Sequence, residues 1–288
     1  MKRKLKYFIL DLRPGHWVKN LLIFCPLIFG ENLFVIEIIF KTFIAFILFC
    51  LTASIAYIMN DLIDLEKDKL HPIKNSRPIT VGKISIRQAL ITVCFLSVIT
   101  VIAAFKLNIN FGVLILTYII FNGIYSKFFK KIFLVDIICV VIFFLLRIIA
   151  GSIITGVSLS YWFMTMITLI ALFLGFNKRY QELKLLGSKA VFYRDVFTRY
   201  SISFINKMIW VVTVLILLVY PLYAINAKKE MVYSIPLVYY GVFRYLHQVF
   251  KLRNNDGDPI SILFLDRKLQ LDLGLWVVFR IFVVYSSH

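Results

Sequence analysis

The chain has 288 residues, 61% of them hydrophobic and only 17% charged, with a mean hydropathy of +0.87. A soluble domain of this size is about half apolar and about a quarter charged, so an ordinary globular domain is excluded, and too little chain lies outside the apolar runs for a second, soluble one. The net charge of +18 is spread segment by segment, which argues against a nucleic-acid surface and for membrane topology.

In chain order, nine apolar stretches approach the roughly 20 residues that cross a bilayer. They fall at about 17–34, 38–59, 86–105, 109–125, 132–155, 161–176, 204–225, 231–249 and 269–286. The expected fold is all-α and polytopic: one membrane domain over 1–288, with loops at about 60–85, 177–203 and 250–268 on one side. If the N-terminus, with Lys2, Arg3, Lys4 and Lys6, is cytoplasmic, the segments on that side hold 27 of the 33 lysines and arginines. That asymmetry predicts N-in, C-out in the inner membrane, with the long loops facing the cytoplasm. The first apolar run lacks a secretory cleavage site and is expected to be a retained span.

Several chemistries find no support. Cys25, Cys50, Cys94 and Cys139 lie singly in apolar runs and read as small buried hydrophobes. His16, His71, His247 and His288 form no ligand cluster, so zinc is not expected. Gly82-Lys83 lacks the upstream glycines of a phosphate-cradling loop.

The polar signal lies at the span ends. After the second span comes Asn60-Asp61-Leu62-Ile63-Asp64-Leu65-Glu66-Lys67-Asp68, then Asn75-Ser76-Arg77-Pro78. If the helix continues, Asn60, Asp64 and Asp68 share one face, about 6 Å apart per step. Hard oxygen ligands with no Cys or His suit magnesium, which phosphate oxygens of a substrate usually complete. The same acids could also form a solvated charge cluster at a helix end. Against that, carboxylates at i, i+4 repel unless a cation lies between them, and Lys74 and Arg77 follow, bracketed by Pro72 and Pro78.

After the sixth span the chain reads Asn177-Lys178-Arg179-Tyr180-Gln181-Glu182-Leu183-Lys184, then Arg194, Asp195, Arg199 and Tyr200 on an amphipathic stretch. Phosphate binding and a plain Lys178–Glu182 surface pair fit this segment equally well. At the first span, Trp17 suits the interface belt and Lys19 can snorkel. Tyr125-Ser126-Lys127 closes the fourth span. Asp136 and Arg147 lie three turns apart within the fifth and are expected to face the bundle interior. Asp256-Gly257-Asp258-Pro259 is explained by a turn as readily as by a metal site.

With these motifs in place, the chain resembles the UbiA-type intramembrane prenyltransferase superfamily. The resemblance rests on Asn60-Asp61-x-x-Asp64-x-x-x-Asp68, on Asn75-Ser76-Arg77-Pro78 and on the nine-span plan. It implies a ring of nine helices around a central cavity. Most members hold a prenyl diphosphate between two aspartate-rich motifs, yet here the second is replaced by Asn177-Lys178-Arg179-Tyr180-Gln181-Glu182-Leu183. That variant, with Arg13-Pro14-x-x-Trp17-x-Lys19-Asn20 and Gly257-Asp258-Pro259 before Asp266-Arg267, is similar to the decaprenyl-phosphate phosphoribosyltransferase branch.

The branch implies transfer of 5-phosphoribosyl from phosphoribosyl diphosphate (PRPP) to a polyprenyl monophosphate, for a cell-envelope precursor. Under it, Asn60, Asp61, Asp64 and Asp68 would hold Mg2+, and Lys178, Arg179 and Arg77 would bind phosphates, with Tyr180 and Glu182 near the ribose. Lys19, Tyr125, Lys127 and Arg147 would serve the substrates. Expected partners are PRPP, the polyprenyl phosphate and membrane lipid, with no nucleic acid; homo-oligomer formation is left open. An aromatic prenyltransferase would need a second acidic motif, and a transporter would place its charges at mid-membrane rather than at span ends.

Overall fold

The computed structural model describes residues 2–30, 32–187, 190–251, 262–263 and 265–286. Their regular structure is all helical, with no strand among them. The α-helices are α1 (Lys2–Leu12), α2 (Cys25–Phe29), α3 (Ile36–Ile63), α4 (Leu65–Leu70), α5 (Ile86–Leu107), α6 (Ile109–Lys127), α7 (Val135–Thr155), α8 (Tyr161–Leu186), α9 (Ala190–Tyr193), α10 (Ile202–Ala227), α11 (Ile235–Lys251) and α12 (Arg267–Tyr285). Ser85, Asn108, Ser160 and Ser201 cap the starts of α5, α6, α8 and α10, each side-chain oxygen accepting an orphan backbone N–H of the first turn.

Among the described residues six helices are long and apolar enough to cross a membrane: α3, α5, the stretch Ile109–Lys131, α7, α8 and α10. The other three expected spans are helical but differ in kind. The first is a 3-10 helix, Pro14–Phe24, running into the five-residue α2. At about 2.0 Å per residue for 3-10 and 1.5 Å for α, the pair reaches roughly 30 Å. The eighth, α11, has 17 residues, and the ninth, α12, carries Arg267, Lys268, Asp272 and Arg280 among its 19.

The chain divides into two compact units. The first comprises Met1–Leu27, Asn32–Ser158 and Phe192–Val196. Its core gathers Ile23, Ala45, Phe49, Phe111, Ile115, Tyr118 and Ala150 from the 3-10 segment, α3, α6 and α7. An eleven-residue 3-10 run is unusual, since its hydrogen-bond geometry is poorer than that of an α-helix. Here side chains hold it. Trp17 Nε1 donates to Ser54 Oγ at 3.0 Å, Ser54 Oγ donates to Leu12 O at 2.7 Å, and Asn20 Nδ2 reaches Cys50 Sγ at 3.3 Å. Gly151 of α7 lets the backbone come close: a Cβ there would lie 2.1 Å from Ile23 O.

The second unit comprises Ile28–Glu31, Leu159–Val191 and Phe197–His288, with α8 packed along α10 and α11 along α12. Pro221 inside α10 removes the hydrogen bond to Leu217 O, and Tyr239 Oη donates to that carbonyl instead, at 2.6 Å. Tyr220, Ser234 and Trp276 form a buried polar cluster through hydrogen bonds of 2.6 and 2.7 Å. In both units, large apolar side chains such as Phe95, Ile102, Leu218 and Val278 lie exposed. A chain in water would bury these; a bilayer takes them.

Candidate functional site

In the first unit the acids at the end of α3 meet cations from four places in the chain. The helix ends at Ile63. Asp64 sits off helical geometry (φ −96, ψ 8) before α4 resumes at Leu65, while the bonds Asp64 N to Asn60 O (2.9 Å) and Asp68 N to Asp64 O (2.8 Å) carry the ladder across. These bonds keep Asn60, Asp64 and Asp68 in helical step, but different cations meet them. Asp61 and Asp68 share Arg77, whose NH1 donates to Asp61 Oδ1 at 2.8 Å and to Asp68 Oδ2 at 2.5 Å. Asn60 and Asp64 instead face Lys130, which pairs with Asp64 and lies 3.5 Å from Asn60 Oδ1. Asp61 and Asp68, seven residues apart, come within about 20° of one another around a helix, which is why one arginine reaches both.

Arg13 adds a second arginine to Asp61, reaching both carboxylate oxygens, and lies over the Tyr57 ring at 5.1 Å. Its backbone is left-handed (φ 51, ψ 60). A non-glycine residue is held there only when its surroundings fix it; the side-chain clamp and Pro14 behind it do so. Asp61 and Asp68 are 1% and 2% exposed. Burial pushes the Asp68 carboxyl up from its ordinary value; Lys74 and Arg77 oppose this, and Asp61 and Asp64 add to it. Burial, then Arg13 beside it, holds the Arg77 guanidinium down. Asp11, at the end of α1, is pushed up to about 7 by burial and by Asp61, against Arg13 and Arg77. His71 shapes the loop: its Nδ1 accepts from Ile73 N and Lys74 N at 3.2 and 3.3 Å.

Residues 192–196 close this unit's cluster. Arg194 NH2 donates to Tyr125 Oη at 2.9 Å and stands 4.0 Å from the buried Asp136. Lys67 pairs with Asp195 at 2.8 Å, and that hydrogen bond holds the Asp195 carboxyl below its ordinary value. Lys127 is exposed against the Phe128 ring, while Lys130, three residues on, is the lysine that reaches the acids. Lys19 is half-buried on the 3-10 segment. Arg147 is 4% exposed; it donates to Asn20 Oδ1 (2.8 Å), Tyr118 Oη (2.8 Å) and Phe143 O, beside the rings of Phe49, Tyr118 and Phe144. It faces the bundle interior as expected, and it ties α7 to the 3-10 segment and α6.

In the second unit the sequence after the sixth span is still helix, the last turns of α8. Arg179 is fully buried and donates to Glu182 Oε2 at 2.6 Å. Lys178 is half-buried. Tyr180 packs edge-on against Phe250 of α11, with Lys184 Nζ over its ring. Asn177 and Gln181 are both buried. Asp266 caps α12, accepting from Lys268 N and Leu269 N, and takes Arg244 Nε at 2.7 Å. Asp256-Gly257-Asp258-Pro259 lies outside the described residues.

Arg13, Lys130 and Arg194 carry no weight of their own in the sequence. Arg13 enters only through a motif, and Lys130 and Arg194 sit among other cations. Arginine or lysine spacing along the chain holds no record of which carboxylate each will meet.

The chain belongs to the UbiA prenyltransferase family, whose profile matches residues 28–267. It is therefore a transferase of membrane-spanning architecture. Among its relatives are decaprenyl-phosphate phosphoribosyltransferases of Mycolicibacterium smegmatis (28% identical, covering 92% of this chain and 88% of that one) and Mycobacterium tuberculosis (29%, 92% and 90%). A third, from Corynebacterium glutamicum, is 28% identical over 95% of this chain and 85% of that one. Among solved structures, a UbiA homologue from Archaeoglobus fulgidus bound to GPP and Mg2+ superposes with a TM-score of 0.71 at 19% identity, covering 97% of this chain and 99% of that one. A digeranylgeranylglyceryl phosphate synthase gives 0.65 at 15%, covering 97% and 98%. At these identities the structures establish the fold.

Among the described residues no three His, Cys, Asp or Glu side chains are gathered closely enough to hold a metal ion, yet the residues at the end of α3 carry the kind of donor a hard divalent cation takes. Their donors are oxygens, and beside burial the neighbouring Asp61 and Asp64 charges push the Asp68 carboxyl up. That repulsion is what a divalent ion relieves. Asp61, Asp64 and Asp68 each have a cation already in contact.

Proposed function

We propose that this protein transfers 5-phosphoribosyl from PRPP to a polyprenyl monophosphate, releasing diphosphate, in the making of a lipid-linked precursor for cell-envelope polysaccharide. The observation that carries the reading is the near-full-length likeness to decaprenyl-phosphate phosphoribosyltransferases. It is joined by the make-up of α8, where Lys178 and Arg179 stand beside a single acid, Glu182. A donor with a diphosphate and a separate 5-phosphate calls for one metal site and further cations, not two metal sites.

Asn60, Asp64 and Asp68 are the residues we assign to Mg2+, which would neutralise charge on the leaving diphosphate. Asp61, with both oxygens taken by arginines, is assigned instead to aiming Arg13 and Arg77. In the reaction an oxygen of the acceptor phosphate forms the bond to ribose C1 as the C1–O bond to diphosphate breaks, and the electron pair leaves with the diphosphate. Arg77 and Lys130 are fixed cations able to receive that developing charge, as are Lys178 and Arg179 for the donor phosphates. The acceptor is already an anion at neutral pH, so no strong general base is needed. Lys19, Tyr125 and Lys127 are assigned to the acceptor phosphate; Arg147, whose donors are taken by protein, is assigned to architecture. Nine crossings with the N-terminus inside, in the inner membrane, would put the α3–α5 loop and the end of α8 in the cytoplasm, where PRPP is made.

A prenyl diphosphate donor is the second reading, favoured by the GPP and DMAPP bound to fold relatives. Purified protein in detergent would be given labelled PRPP and a polyprenyl phosphate, with and without Mg2+. Mg2+-dependent label in the lipid fraction is the expected result. No label there, together with transfer from a prenyl diphosphate to an aromatic acid, would replace the first reading with the second.

A further inference from the structure

Asn177 and Gln181 are one turn apart on α8, so they stack on one face. Asn177 is 0% exposed and Gln181 5%. Asn177 Nδ2 donates to Phe173 O at 2.7 Å, which fixes the carboxamide and leaves its Oδ1 without a partner. Gln181 has no partner at either Nε2 or Oε1. Buried polar atoms are nearly always hydrogen-bonded, because leaving one unmade forfeits its hydration with nothing in return. Three on adjacent positions of one helix face call for something polar that sits against them.

The chemistry of the three atoms narrows what that is. Together they offer donors and acceptors and no charge. A phosphate only accepts and is better served by cations; a metal ion cannot use an amide N–H. A hydroxyl both donates and accepts and matches a carboxamide on each count. The neighbours on the same turns, Lys178 and Arg179, supply cations for phosphate. A ligand that is both hydroxylated and phosphorylated fits the combination. A prenyl diphosphate, having no hydroxyl, would leave the carboxamides unmade and be disfavoured by them.

We infer, resting on the phosphoribosyl reading above, that Asn177 and Gln181 hydrogen-bond the ribose hydroxyls of the donor, so that this turn of α8 selects a hydroxylated donor. Neither residue is a metal ligand or a phosphate clamp; both set specificity.

The test compares kcat/KM for PRPP with that for its 2-deoxyribosyl counterpart in wild type, Gln181→Met and Asn177→Leu. A site built to bond a hydroxyl discriminates strongly against its loss. Wild type is expected to prefer the ribosyl donor about tenfold or more, and the variants to fall to within about threefold by losing activity on PRPP. Their melting temperatures should equal or exceed wild type, since each substitution removes orphaned polar atoms without changing size. Unchanged discrimination in both variants would overturn the inference while leaving the phosphoribosyl reading standing. Wild type that moves a prenyl but no phosphoribosyl group would sink that reading itself. If a methionine or leucine variant does not fold, Gln181→Ala removes the carboxamide without adding a charge, and the same loss of discrimination is expected.

Discussion

Replacing Arg77 by alanine removes the one side chain that bridges Asp61 and Asp68. Both carboxylates are almost wholly buried, at 1% and 3% side-chain exposure, while Arg77 is 22% exposed. Deleting one partner of a buried ion pair costs about 3–5 kcal/mol, because the other charge stays behind. Here Asp61 keeps Arg13, and Asp68 keeps Lys74 at 3.7 Å, so the low end, about 3 kcal/mol, is expected. For a chain of this length that corresponds to a fall of roughly 6 °C in melting temperature. The deficit should depend on pH with a definite sign. The folded-state pKa of Asp68 is already raised, so its contribution to stability is full below the ordinary carboxylate value and is lost as pH rises through the folded value. Losing Arg77, which lowers that pKa, moves the loss further up the scale. Melting of wild type and Arg77→Ala in detergent at pH 7.5 and pH 5 should therefore show a larger gap at pH 7.5. A gap under about 2 °C at pH 7.5, or one equal at both values, would refute the account of Arg77 as the bridge between two buried charges.

Three other perturbations test separate parts of the structure. Asp11→Asn removes a carboxyl held up at about 7; it should raise melting slightly at pH 5, where only the unfolded chain ionises, and more at pH 8, where the loss is complete, and equal shifts at both pH values would contradict the assignment. Gly151→Ala drives a Cβ to 2.1 Å from Ile23 O, and, since backbone rather than a flexible side chain is in the way, a loss of about 3 kcal/mol is expected by thermal or denaturant unfolding; wild-type stability would mean the 3-10 segment can move aside. Asp64→Ala should abolish Mg2+-dependent turnover while the protein still elutes as a folded species, and an active Asp64→Ala enzyme would remove that residue from the metal role.

The helical membrane architecture and the charged clusters at span ends were open to the sequence because both rest on local composition. Apolar length decides what can cross a bilayer, and acids or cations at span ends stand out against an apolar background. The acid cluster at Asn60–Asp68, the cations Lys74 and Arg77 behind it, and the basic end of α8 were all legible on that ground. The partnerships were not. That Asp61 is gripped by Arg13 from 48 residues away, that Lys130 rather than Lys127 reaches Asp64, and that Arg147 bonds Asn20 and Tyr118 depend on which helix ends come together. The 3-10 form of Pro14–Phe24 is likewise a tertiary outcome, since Trp17 and Asn20 hold it through partners on α3. The charged residues of α8 drew attention by their charge, whereas the orphaned atoms of Asn177 and Gln181 are defined by burial. Spacing along a helix fixes which side chains share a face; only the packing of other helices decides whether that face meets water, lipid, a counter-charge or nothing at all.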